Sequence, residues 1–260
     1  NKLFHIVYYI IISCLCLDLI NTTKVSVNNK NDLINGFSKA NNNNLSELII
    51  NINDVTLDLT ENIKVDSSVE KLHIIGKSKE KSVLNFSDIG NGIILTNLLY
   101  KTTQEIKFTN LTITGRLEFY SIVNVELEDV IINGSFLFDK SNNYIWDSGS
   151  DSSYNAEYME KNLDVTITLK RILYNAYTNT AYRCINLFGN VIIDDSEFYG
   201  HSSCVDTILD YNGEYYNYLS ISNSYFNGMH SNKCLKIYNS ALATIDSCSF
   251  ENGLANVYEE

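Results

Sequence analysis

Ile221-Ser222-Asn223-Ser224-Tyr225-Phe226-Asn227-Gly228 is the stretch on which the fold turns. It reads apolar, two polar residues, a small residue, any residue, a large apolar residue, any residue, then glycine. The same pattern recurs at Val69–Gly76, Phe108–Gly115, Leu127–Gly134, Leu169–Ala176, Ile193–Gly200 and Ile245–Asn252. Its large apolar position falls at Ile74, Ile113, Ile132, Tyr174, Phe198, Phe226 and Phe250, with spacings of 39, 19, 42, 24, 28 and 24. The two long spacings are near twice the short ones, as if one copy had decayed or been interrupted. Two residues before each copy stand Ser67, Ile106, Val125, Ile167, Val191, Leu219 and Ala243, so inward positions alternate with period two. The polar corner carries Asn110, Asp129, Asp195 and Asn223, residue types that tolerate left-handed backbone angles. Each copy therefore reads as two short strands joined by a tight corner, and the closing glycine permits the next bend. A repeat of about 20–28 residues with period-two strands and no helical pattern marks a parallel β-helix, because one coil cannot bury its apolar face alone. The leucine-and-asparagine consensus of leucine-rich repeats is absent.

Over roughly residues 47–253 this repeat texture resembles the right-handed parallel β-helix superfamily, often called pectin-lyase-like, and in particular its secreted repeat members. The resemblance implies an all-β fold: a right-handed parallel β-helix (three-sheet solenoid) with a short N-terminal capping helix. Asn31 to Ala40 suits that cap, since Leu33, Ile34 and Phe37 share a face and Asn31 or Asp32 can start it. Asn41 to Asn44 then makes a polar loop before a first strand at Leu48–Ile52. Segment 21–46 thus carries the cap and 47–260 the β-helix. Residues 139–164 break the repeat with six acids, two lysines and the only tryptophan, and read as an inserted acidic surface loop. The sequence stops at Glu260 just after the last repeat, without an evident cap, so further coils or an anchor are expected downstream.

The 260 residues hold 31 acidic and 19 basic side chains, a formal net charge of −12, and 45% are hydrophobic. That supplies a core and excludes a disordered chain. With only three arginines (Arg116, Arg171, Arg183), no nucleic-acid partner is expected. Proline is absent, which excludes collagen-like and polyproline architectures. Stacked strands would disfavour it, but 35 asparagines point to a general compositional bias as well. Residues 1–20 read as a signal peptide: Lys2, then an apolar run from Leu3 to Leu17 ended by Asp18 and Asn21. An extracellular or cell-surface location follows, with no membrane span within the chain after signal removal. Ile11-Ile12-Ser13-Cys14 also fits a bacterial lipoprotein site. Export leaves Cys184, Cys204, Cys234 and Cys248 for a disulfide or stacked thiols, and makes Asn21, Asn44, Asn85, Asn110 and Asn133 glycosylation acceptors.

Candidate chemistry is sparse. The two polar corner positions give Glu128-Asp129, Lys170-Arg171, Asp194-Asp195, Ser222-Asn223 and Asp246-Ser247. Stacked about 4.8 Å apart, they form a column with a basic pair between acidic pairs. It offers calcium ligands in Glu128, Asp129, Asp194 and Asp195, and a catalytic set in Lys170, Arg171, Asp194 and Asp195, with Lys170 or Arg171 abstracting a proton from a uronate. A salt-bridge ladder on a solvated corner is the plainer expectation. No other cofactor is evident. The family comparison weighs against catalysis: the Arg-x-Pro-x-x-Arg stretch of the best-known pectate lyases needs proline, and polygalacturonase motifs are matched only by Asp194-Asp195 and Gly200-His201. Neither a zinc-protease motif, a Gly-x-Ser-x-Gly elbow nor a phosphate-binding glycine loop occurs. Tyrosine is the remaining signal, with nine of eighteen between Tyr174 and Tyr225. Trp146, Tyr211, Tyr215, Tyr216 and Tyr218 are the binding candidates, the four tyrosines being expected in one loop. The expected function is non-catalytic binding or adhesion to a carbohydrate or cell-surface partner. Its rivals are a polysaccharide lyase or glycoside hydrolase acting on acidic polysaccharide, and a structural spacer of a longer surface protein.

Overall fold

A computed structural model of the protein describes residues 21–99, 103–120, 123–139, 165–177, 184–213 and 217–254. The proposed signal segment, residues 140–164 with Trp146, and Tyr215 and Tyr216 lie outside the described residues.

The chain opens with strand β1 (Thr22–Val27) and one helix, α1 (Lys30–Ser38). Strands then follow in successive circuits. The first is β2 (Glu47–Ile52), β3 (Thr56–Leu59) and β4 (Ile63–Ser67), and the second β5 (Lys71–Gly76), β6 (Val83–Phe86) and β7 (Gly92–Asn97). Among the described residues, two circuits show two strands each: β8 (Gln104–Thr109) with the long β9 (Thr112–Tyr120), and β10 (Val123–Glu128) with the long β11 (Ile131–Asp139). Next come β12 (Thr166–Lys170), β13 (Leu173–Ala176) and β14 (Ile185–Phe188), then β15 (Asn190–Asp194), β16 (Glu197–Tyr199) and β17 (Thr207–Asn212). The last are β18 (Tyr218–Ser222), β19 (Tyr225–Asn227) and β20 (Lys233–Tyr238), followed by β21 (Leu242–Asp246) and β22 (Ser249–Glu251).

Every strand pairs in parallel with its counterpart one circuit away. The first face orders its nine strands β1-β2-β5-β8-β10-β12-β15-β18-β21. A second face runs β3-β6-β9-β11-β13-β16-β19-β22 and a third stacks β4, β7, β9, β11, β14, β17 and β20. The fold is all-β with parallel sheets. Its described residues form two hydrogen-bonded sheets instead of the expected three, because β9 and β11 pass through both the second and third faces without a break. Gly115 (φ 137°) and Gly134 (φ 155°) sit at that bend, and a Cβ on Gly134 would overlap the Gly115 carbonyl.

Between the faces lies one apolar core. Strand alternation sends Phe108, Ile113, Phe119, Ile132, Phe136, Tyr174, Phe198 and Phe226 into it, all buried. The inward column of the second face ends as an aromatic stack. Phe198 and Phe226 have centroids 4.5 Å apart at 8°, and Phe226 and Phe250 lie 5.0 Å apart at 12°.

Three expectations need correction at the N-terminal end. Segment 21–46 is not outside the sheets, since β1 already pairs with β2. The helix begins at Lys30, capped by Asn29, whose side chain accepts from the Asp32 N–H at 3.0 Å. It buries Leu33 and Phe37, while Ile34 is 42% exposed at the rim of a hollow of about 330 Å³ against β4. The copy at Val69–Gly76 is out of register with the others. Ile74 pairs with Phe108 on the first face, and the true partner of Ile113 is Leu84, itself paired with Leu57. A longer connection, Lys77 to Ser82, replaces the tight corner there, which is why the repeat faded.

Candidate functional site

The corner between first and second faces is built from backbone. Asn110, Asp129, Arg171, Asp195, Asn223 and Ser247 all hold left-handed angles, with φ between 48° and 61°. Each of the first five donates its N–H to a carbonyl of the next circuit: to Glu128, Lys170, Asp194, Ser222 and Asp246, at 3.1–3.2 Å. Just beyond, small side chains point inward. Ser196 and Ser224 donate to the carbonyls of Asp194 and Ser222 at 2.7 Å, and Cys248 makes the equivalent contact to Asp246 at 3.2 Å.

This ladder presents the expected column of charged residues in register, Glu128 beside Lys170 beside Asp194, despite the 42-residue gap. Arg171 closes on the previous circuit. Its Nε donates to Asp129 Oδ1 at 2.9 Å, and its Nη2 to Asp129 Oδ2 at 2.7 Å and Glu128 Oε1 at 2.6 Å. Lys107 donates to Glu126 at 2.8 Å and to the other Glu128 oxygen at 3.0 Å. Hydrogen bonds from Lys107 and then Arg171 hold the Glu128 carboxyl below its ordinary pKa, and Arg171 does the same to Asp129. Asp129 and Glu128 in turn hold the Arg171 proton more tightly than usual. Arg171 is thus the cation of an ion-pair cluster, not a base. Asp194 accepts from Ser222 Oγ at 2.8 Å and Asn223 Nδ2 at 3.0 Å, and those bonds, Asn223 first, lower its pKa. Asp195 is exposed at its own corner. The four proposed calcium ligands therefore do not converge. Among the described residues no three His, Cys, Asp or Glu side chains gather as a metal site.

The outer side of the second face is chemically different. Its strands contribute one line of Asp58, Asn85, Thr114, Asn133, Asn175, Tyr199, Asn227 and Glu251, each beside the next in register. Amides bridge the rungs: Asn85 donates to Asp58 at 2.7 Å, Asn133 to Thr114 at 3.3 Å and Asn175 to Asn133 at 2.8 Å. Toward the C-terminal end tyrosines take over. Tyr199 donates to Glu197 at 2.8 Å, Tyr225 donates to Glu251 at 2.9 Å and accepts from Asn227 at 2.8 Å, and the two rings lie 5.7 Å apart. The bond to Glu197 pushes the Tyr199 hydroxyl up to about 12, and Glu251 raises Tyr225. Beside them Tyr177 meets His201 edge to face at 5.0 Å, with Tyr177 and Met229 each 51% exposed. This array, half-buried to exposed except at the buried Asn227 and held by its own hydrogen bonds, is the candidate binding surface. No family model, curated protein or solved structure matches this chain.

The tyrosines singled out from sequence are placed elsewhere. Tyr211 is not in a loop but on β17, wholly buried, its hydroxyl bonded to the Gly189 carbonyl at 2.9 Å. It cannot stack on a ligand. Tyr218 opens β18 on the first face and is 38% exposed. Tyr199 and Tyr225 were missed, although period-two alternation carries the signal: they flank the inward Phe198 and Phe226. Cys184 and Cys204 form a disulfide, while Cys234 and Cys248 are free thiols among the described residues. Among the sequons, Asn21 and Asn44 are exposed, whereas Asn85, Asn110 and Asn133 are half-buried with their amides engaged.

Proposed function

We propose that the chain is an exported, surface-acting right-handed parallel β-helix protein of the pectin-lyase-like type that binds a carbohydrate and does not cleave it. The observation that carries this reading is the Tyr199–Tyr225 array, in which aromatic rings and carboxylates stand fixed on a flat outer face. Aromatic faces with nearby acceptors suit sugar rings and their hydroxyls. Right-handed winding is supported by the all-parallel pairing, since crossovers between parallel strands are right-handed in about 98% of cases. Export is supported by the apolar segment Leu3 to Leu17 and by the disulfide, which suits an oxidising compartment. Among the described residues no helix is long and apolar enough to cross a membrane. Of the two bases that the lyase reading offers, Arg171 is engaged by Asp129 and Glu128, which leaves it Lys170 alone. A glycan array and cell-wall pull-down test the proposal. Retention is expected for the wild type and lost on Tyr199→Ala and Tyr225→Ala, and no retention on any surface refutes it.

A further inference from the structure

Resting on that reading, we infer that the ligand is an uncharged glycan chain lying along the stacking axis of the second face, not a polyuronate. Two outward positions from each of the eight strands β3, β6, β9, β11, β13, β16, β19 and β22 make up this face. None is lysine, arginine or histidine, while Asp58, Glu197 and Glu251 are acidic. A polyanion laid along these positions would meet their acids and no cationic side chain from them, on a chain of net charge −12. The described cations at its border are Lys79, whose carbonyl accepts from Thr112, and His201 beside Tyr177. Arg171, at the adjoining corner, is committed to Asp129 and Glu128. The first face is built oppositely, with lysines alternating against acids at Lys71–Glu105 and Lys107–Glu126. Among the described residues, the outward positions of this face thus differ from those of the first in carrying no cation.

What the face does offer is acceptors and rings. Glu197 and Glu251 each hold one tyrosine hydroxyl and retain further lone pairs for sugar hydroxyl donors. The same bonds fix the rings of Tyr199 and Tyr225 before a ligand arrives, which lowers the entropic cost of binding. Rungs repeat about every 4.8 Å, so eight of them extend over about 34 Å. A polymer with its own short repeat meets equivalent groups along that length, whereas a single sugar would gain only one or two.

Affinity gel electrophoresis of the full chain tests this, with hydroxyethylcellulose and glucomannan as uncharged probes and polygalacturonate and alginate as charged ones. The uncharged polymers are expected to retard the protein and the polyuronates to leave it unaffected. Tyr225→Ala should weaken retardation about tenfold or more. Glu197→Lys with Glu251→Lys, which leaves the core untouched, should confer retardation by polygalacturonate. Equal or stronger retardation of the wild type by a polyuronate overturns the inference while leaving glycan binding intact. No retardation by any of the four polymers overturns both.

Discussion

Arg171 holds Asp129 through two parallel hydrogen bonds, at 2.9 and 2.7 Å, although 42 residues separate them in the chain. Asp129 and Arg171 occupy the same corner of successive circuits, each in a left-handed conformation. The planar guanidinium matches the carboxylate fork, and a third bond draws in Glu128.

Replacing Arg171 by Met should lower the melting temperature at pH 7, and the loss should depend on pH with a definite sign. The Glu128 and Asp129 carboxyls titrate below their ordinary values in the folded chain. The unfolded chain therefore binds protons first as pH falls. The stability contributed by the cluster is complete above the ordinary carboxylate range, at about pH 5, and is lost as pH drops through the lowered folded values. Melting curves of wild type and Arg171→Met should converge toward pH 2. A gap that stays constant from pH 7 to 2 would contradict the ion-pair account.

Phe226 stands between Phe198 and Phe250 in the inward stack, fully buried. Truncation to Ala removes contacts on both sides and leaves a void that stacked circuits cannot close without shifting. A cost of about 3–5 kcal/mol is expected, read from urea unfolding. A loss under 1 kcal/mol would mean that the stack is not packed as described.

The disulfide between Cys184 and Cys204 spans 20 residues and two neighbouring circuits. Replacing both by Ser should cost on the order of 3 kcal/mol. Cys248→Ser should be nearly neutral, because Ser196 and Ser224 already make the equivalent bond two circuits and one circuit earlier. Peptide mapping without reductant should recover one Cys184–Cys204 link, with Cys234 and Cys248 open to alkylation once the chain is unfolded.

Tyr199 is expected to ionise near pH 12, with Glu197 as the main cause. The ultraviolet difference titration between wild type and Tyr199→Phe isolates its signal. In Glu197→Gln the midpoint should fall back toward 10. Because the folded value is raised, the bond stabilises the fold fully below about pH 10 and ceases to do so as pH rises through 12.

The repeat was legible where the corner is tight and its residue types are polar. Asn110, Asp129, Asp195 and Asn223 announced left-handed corners, and inward Phe198, Phe226 and Phe250 announced the period. It failed at Val69–Gly76 because the Lys77–Ser82 connection carries no corner residue, so a single strand with Leu72 and Ile74 mimicked the pattern. Arg171 at a left-handed position has no signal in propensity, and its ion pairs become visible only with register. The binding candidates went astray for a related reason. A cluster of tyrosines in sequence is not one in space, because neighbouring residues alternate between core and surface while residues 24 to 28 apart stand side by side. Tyr211 went to the core, and Tyr199 and Tyr225 met across two circuits.

That arrangement has a mechanical consequence. Each circuit leans only on the one before and the one after, so a pulled chain should come apart as a string of separate yields and not as one rupture. The inward residues of the second face advance by 27, 29, 19, 42, 24, 28 and 24 residues from Leu57 to Phe250. At about 3.5 Å per residue, most yields would release about 85–100 Å of chain, the shortest about 65 Å and the longest about 145 Å. The disulfide would withhold about 70 Å from the two circuits it straddles until a reductant is added. A force–extension trace would then read the uneven lengths of the repeat directly.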